Sequence, residues 1–181
     1  MEFLVALAIL YEVEQHRRSS FLEDASQDTR FSEREEIYQL FLEAEGTTVD
    51  EKSEAFCCSL WANPDLRGKC DRQLVLFSKL GHLLNPRPIS WVMRNKSVLQ
   101  WFPQSVVILW LILAPYICER RKRAGKWWAK PFSDFTAASV KFLLGQRDQP
   151  LQMFDRRGNV ALEIPRERLE KIEMQIKSAE S

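Results

Sequence analysis

The chain has 181 residues, 45% of them hydrophobic and 28% charged, a balance that suits an ordinary globular domain able to bury one core. A net charge of +1 argues against general polyanion binding. The charge is unevenly spread, however: acids dominate residues 23–54, and residues 120–130 carry bases and no acid.

Residues 3–11 are apolar on all sides, and Glu12, Glu14, His16, Arg17 and Arg18 follow. Glu2 is the only early charge, so the positive leading region of a secretory signal is missing. Nine helical residues cover about 14 Å, too short to cross a bilayer. Two readings stay open: first turns that pack on the core, or a partial membrane anchor made of Phe3, Leu4, Val5, Leu7, Ile9 and Leu10. Either way, one helix is expected to run to about Phe21.

Helix signals then recur. Ser32 with Glu35 reads as a capping box, with Ile37, Leu40, Phe41 and Ala44 as an apolar stripe that Gly46 stops. Thr48 with Glu51 reads as a second box, followed by Phe56, Cys57 and Leu60. Asn63-Pro64 ends that helix and starts the next, whose Leu66, Cys70, Leu74, Phe77, Leu80 and Leu84 form a strong bundle-facing stripe. The Asn85-Pro86-Arg87-Pro88 run breaks the chain, and a short helix and connector holding Trp91 and Trp101 are expected before Phe102.

The uncharged run Val106 to Cys118 is the most informative segment. At 1.5 Å per residue it covers roughly 20 Å, against a bilayer core of about 30 Å. Pro103 suits the first residue of its helix, and an interior Pro115 predicts a bend between Leu111 and Pro115. A helix apolar all round must be covered all round, by other helices or by lipid. The core-helix reading is preferred; the alternative is an integral membrane protein with short spans at 1–13 and 98–118. Gly125 ends this helix, Pro131 opens the next, and Phe132, Phe135, Ser139 and Phe142 give that one an amphipathic face closed by Gly145. Beyond it, residues 151–154 and 160–164 read as a β-hairpin with Gly158 in the left-handed turn position. Pro165 opens a last helix with a narrow stripe of Leu169, Ile172 and Ile176.

Chemistry-bearing patterns are few. Cys57, Cys58, Cys70 and Cys118 form no C-x-x-C pair and no zinc spacing, and three of the four sit on apolar helical faces, where cysteine reads as a small reduced hydrophobe. His82 could pair with Cys58 or Cys70, but reads first as a core or boundary histidine. Neither G-x-G-x-x-G nor G-x-x-x-x-G-K occurs, nor does H-E-x-x-H, so the sequence carries no signal for a nucleotide loop, a metal or a cofactor. One surface candidate remains, the basic cluster of Arg120, Arg121, Lys122, Arg123, Lys126 and Lys130 with Trp127 and Trp128. It reads first as a helix terminus complementing the macrodipole with Trp128 packed inward, next as a membrane-surface or partner patch, and last as a nucleic-acid patch.

The opening LVALAILYEVEQHRRSS, together with Trp110, Pro115-Tyr116-Ile117, Glu119-Arg120-Arg121, Gly125 and Phe132, resembles a small uncharacterised bacterial family of membrane-anchored helical proteins. The likeness runs from Leu4 to Ser139 and implies an anchor, a basic extension and a compact helical domain of unknown function, with no catalytic residues. The expected fold is an all-α bundle around one apolar central helix, with a small C-terminal β-hairpin and helix. Its parts are an N-terminal helix at 1–22, a helical domain at 30–145, and a hairpin plus helix at 150–181. The expected role is a non-enzymatic interaction module, either associated with the cytoplasmic side of a membrane or cytoplasmic. Its partner would be the membrane surface or another protein.

Overall fold

Six helices and one hairpin follow one another in the computed structural model, which describes residues 28–84, 102–146 and 150–178 and positions 12, 13, 16, 19, 20, 23 and 99. They are α1 (Asp28–Glu43), α2 (Val49–Ala62), α3 (Pro64–Leu84), α4 (Pro103–Ala124), α5 (Lys130–Gln146), β1 (Leu151–Phe154), β2 (Val160–Ile164) and α6 (Arg166–Ser178). The fold is an all-α bundle with a small antiparallel hairpin.

Local chemistry sets most boundaries. Thr48 caps α2 by accepting from the Glu51 amide at 3.2 Å, while the Glu51 carboxylate accepts from the Thr48 amide at 3.1 Å. These bonds and those from Thr47 hold the Glu51 carboxyl below its usual range. Lys52 donates to the Leu42 and Ala44 carbonyls at 2.8 and 2.6 Å and so closes the end of α1. The Asn63 side chain accepts from the Leu66 amide at 3.1 Å and starts α3. Gly125, at φ 96°, ends α4, and Gly158, at φ 80°, turns the hairpin. The expected box at Ser32 is not an end, because α1 already runs from Asp28 and encloses it.

Helix α4 is the central element. Val106, Val107, Leu109, Ile112, Leu113, Tyr116 and Ile117 are fully buried, and Ile108, Trp110 and Leu111 nearly so. Helices α2 and α5 make its most extensive contacts. α1 reaches its start through the Tyr38 hydroxyl, which donates to the Ser105 carbonyl at 3.0 Å. A side chain the size of Trp110 at such a site contributes about 3–5 kcal/mol. Among the described residues no helix is long and apolar enough to cross a membrane.

The hairpin and α6 join this core. Leu151, Met153, Ile164, Leu169, Ile172 and Ile176 belong to the same buried cluster as α4. Glu173 reaches Lys141 on α5 at 3.5 Å, and Arg168 ion-pairs with Asp50 on α2. On α5 the buried stripe continues through Val140 and Leu143, leaving the expected Phe142 half-buried. The described amino-terminal positions 12, 13, 16, 19, 20 and 23 are helical and exposed. Phe3, Leu4, Val5, Leu7, Ile9 and Leu10 lie outside the described residues, as do Trp91 and Trp101.

Two contacts hold the helices in register. Pro115 has no N–H to give the Leu111 carbonyl, so a buried acceptor loses its helical donor. The Ser53 hydroxyl on α2 supplies a replacement, lying 2.8 Å from the Leu111 carbonyl and 2.9 Å from that of Ile112, and the Cys57 thiol lies 3.3 Å from the latter. Between α3 and α5, Gly81 lets the backbones approach so closely that an added Cβ would sit 2.1 Å from the Pro131 carbonyl oxygen.

Both contacts are testable by urea denaturation. Ser53→Ala should cost about 1–3 kcal/mol by stranding a buried carbonyl, and less than half of that in a Pro115→Ala background, where the backbone N–H returns. Equal losses in the two backgrounds would mean that Ser53 does not answer the proline. Gly81→Ala should cost about 2 kcal/mol or more, since the clash is with backbone on an opposing helix.

Candidate functional site

The corner where α4 passes into α5 gathers the basic cluster, but helical periodicity distributes it over different surroundings. A residue every 100° means that four consecutive bases cannot share a face. Arg121 follows Ile117 by one turn on the inner side and is buried. Its Nε donates to the Trp128 carbonyl at 3.0 Å and its Nη2 to the Ser133 hydroxyl at 2.6 Å. Arg121 is therefore a structural strut joining α4, the corner and α5, and it leaves the expected surface patch. The reason is geometric: it continues the Leu113–Ile117 stripe.

Lys122, Arg123 and Lys126 are exposed, while Arg120 and Lys130 are half-buried. Lys122 is 75% exposed and Arg123 is 63% exposed, and both reach Glu119, at 3.5 and 2.9 Å. The hydrogen bond from Arg123 is the main cause that holds the Glu119 carboxyl below its usual range. Lys130 pairs with Asp134 at 2.9 Å. Trp127 projects from the turn with 68% of its surface exposed, and the Lys126 and Lys130 ammoniums lie 5.6 and 5.9 Å from its ring centre. The turn is held by bonds from the Trp128 amide to the Gly125 carbonyl and from the Lys130 amide to that of Trp127. As expected, Trp128 packs inward against the core.

An aromatic ladder that sequence reasoning did not single out runs beside this corner. Trp61, Tyr116 and Trp128 meet in series, the first pair tilted with ring centres 5.4 Å apart and the second edge-to-face at 6.0 Å. Arg123 lies 4.7 Å and Arg67 5.9 Å from the Trp61 ring centre. Arg120 lies 5.1 Å from that of Trp128 and 5.9 Å from that of Tyr116. The Tyr116 hydroxyl donates to Asp71 at 2.8 Å; burial first, then this bond, pushes its pKa up. One cue was available: Trp61 follows Cys57 by one helical turn, on the stripe of Phe56, Cys57 and Leu60.

The buried thiols are not poised for chemistry. All four cysteines are free; Cys57 and Cys70 are buried, whereas Cys58 and Cys118 are exposed, so two rather than the expected three pack on apolar faces. Burial pushes the Cys57 thiol up to about 12 and that of Cys70 higher still, so neither supplies thiolate at neutral pH. His82 is exposed near the end of α3, twelve residues and about 18 Å along the helix from Cys70. No group of three or more His, Cys, Asp or Glu among the described residues could hold a metal ion. A cleft of about 580 Å³ lies beside Pro115, crossed by the Asp50–Arg168 pair and edged by Glu54 and Cys118.

No family model, no curated protein and no solved structure matches this chain.

The split of the cluster gives a direct measurement. Arg121→Gln should lower stability by about 2–3 kcal/mol, because it strands buried partners. Lys122→Gln, one residue on, should stay within about 0.5 kcal/mol. Matching losses would put both side chains in similar surroundings and refute the strut.

Proposed function

We propose that this chain is a non-enzymatic helical module that attaches peripherally to an anionic membrane surface through the α4–α5 corner. The observation that carries the reading is Trp127, a large aromatic 68% exposed beside two lysine ammoniums at a hydrogen-bonded turn. Leaving a tryptophan in water is unfavourable unless something covers it, and the headgroup layer suits its amphipathic ring. Lys122 and Lys126 add charge beside it, each base near anionic lipid contributing about 1 kcal/mol. The burial of Val106 and Leu109 to Leu113 by other helices supports attachment from outside rather than a span at 98–118. The non-enzymatic part of the reading draws on the thiols of Cys57 and Cys70, which are buried with raised pKa and so supply no thiolate at neutral pH. The anchor residues Phe3, Leu4 and Val5 would add a second weak attachment, since two weak signals together hold where one does not.

Co-sedimentation with vesicles tests this. Wild-type protein should bind vesicles containing phosphatidylserine at low salt and release as salt rises, because screening acts over about 8–10 Å. Replacing Lys122 and Lys126 by Gln should weaken binding about 30-fold, the equivalent of two bases at about 1 kcal/mol each, with unchanged melting temperature. Trp127→Ala should weaken it further without altering the salt slope. A wild-type protein that ignores such vesicles at low salt overturns the reading.

A further inference from the structure

Helix α2 has a second side. Ser53, Cys57 and Trp61 meet α4, and Ala55 and Ser59, about half a turn round the helix, line a groove of about 600 Å³ between the end of α1, α2 and the start of α3. Its apolar lining comes from Phe56 and Leu66, which are buried, and from Leu40, Ala44 and Ala55, which are half-buried. Nearby polar groups are already engaged: the Ser59 hydroxyl donates to the Phe56 carbonyl at 2.6 Å, and the Asn63 side chain accepts from the Leu66 amide. Glu43 and Glu45 also line the groove; both are exposed, and neither meets a cation among the described residues. We infer that this groove receives the α4–α5 corner of a second copy of the chain, with Trp127 in the groove and Lys122 and Lys126 against the two glutamates.

The negative charge at the groove is not answered from within the chain. Residues 43–54 hold five acids and one lysine, and that Lys52 is engaged by the Leu42 and Ala44 carbonyls. Glu43 is the last residue of α1, whose last turn holds no base, so its carboxylate adds to the negative end of the helix dipole. A cation set against Glu43 is favoured by the carboxylate and by the dipole together. The groove therefore suits an aromatic group flanked by bases, and it repels an anionic surface or a nucleic acid.

The chain itself presents such a group. Trp127 is exposed with the Lys126 ammonium beside its ring, Lys126 meets no carboxylate among the described residues, and Lys122 reaches only Glu119, at 3.5 Å. An aromatic side chain buries roughly 150–250 Å² when covered, and pockets of about 300–1,000 Å³ are the size that takes such rings. Within one copy Trp127 stays exposed and does not fill its own groove, so the corner that enters the groove belongs to another copy. Two different patches meet, a heterologous contact that closes into a ring or continues as a chain according to its rotation. The corner cannot serve a membrane and a groove at once, so anionic vesicles and self-association compete for it.

Sedimentation velocity without lipid tests the contact through charge reversal. Wild-type protein should associate as its concentration rises and dissociate as salt rises. Glu43→Lys with Glu45→Lys, and separately Lys122→Glu with Lys126→Glu, should each give monomers, because like charges then face one another. Mixed together, the two variants should associate again, since each reversed patch finds its opposite on the other. Trp127→Ala should weaken association about tenfold or more with an unchanged far-ultraviolet spectrum. Wild-type protein that is monomeric at about 1 mM and low salt overturns the contact, as does association that either reversed pair leaves intact. Two natively folded variants that remain monomers on mixing also overturn it, since the charges would then matter without facing each other. Should a reversed variant lose its native spectrum, Glu43→Gln with Glu45→Gln takes its place, and unaltered association overturns the contact. The groove variant should still sediment with phosphatidylserine vesicles, so a protein that binds vesicles and never self-associates loses this contact and keeps the surface reading. One that self-associates as described and ignores the vesicles keeps the contact and loses the membrane.

Discussion

The arrangement depends on how the bundle answers one missing hydrogen bond. Pro115 stands in the central helix, and the Leu111 carbonyl it deprives is buried against α2. A partner must come from a neighbouring helix, and Ser53 is that partner. This fixes more than one bond. Ser53, Cys57 and Trp61 are spaced four apart on α2, so a helix rotated to place Ser53 at the break also places Cys57 along it and Trp61 one turn on. On α4, Tyr116, Arg120 and Arg123 lie on one side beyond the proline. The meeting of Trp61 with Tyr116 and Arg123 thus follows from the same rotation that satisfies the carbonyl.

The proline also explains why the central helix can be apolar all round and still be specific. Leucine and isoleucine side chains pack well enough in several rotations for register to drift. A buried carbonyl with one available donor penalises every rotation but one. Gly81 acts likewise between α3 and α5, where the close backbone approach admits no Cβ. The bundle is positioned by these two points, and the apolar stripes supply the bulk of the stability around them.

Features governed by neighbouring residues were legible in the sequence: the Thr48–Glu51 box, the Asn63-Pro64 break, the Gly125 stop and the Gly158 turn all depend on side chains a few positions apart. The central helix was legible from the length of its uncharged run. Ser32 with Glu35 misled because the same spacing arises inside a helix whose start is set upstream at Asp28. The basic cluster misled as a unit because composition ignores rotation, and Arg121 turned inward with Ile117 while Lys122 turned out. The aromatic ladder was not legible, since Trp61, Tyr116 and Trp128 lie on three separate segments and the Tyr116–Asp71 bond spans 45 residues.

The choice of base at each position follows the same division between stacked and solvated sites. Arginine occupies the positions set against aromatic faces at 67, 120 and 123, and also at 34, where Arg34 lies 5.5 Å from the Phe77 ring centre and burial lowers its pKa. Lysine occupies 122, which stands in solvent, and 126 and 130, which face the exposed ring of Trp127 rather than a packed one. A guanidinium is weakly hydrated and planar, so resting on a ring costs it little water, whereas an ammonium surrenders a tight hydration shell to do the same. Placing lysine at 120 would exchange a flat group held by two rings for a mobile point charge that snorkels towards water. The corner therefore carries positive charge in two settings: lysines gathered around the exposed Trp127 ring, and arginines set against the Trp61–Tyr116–Trp128 rings.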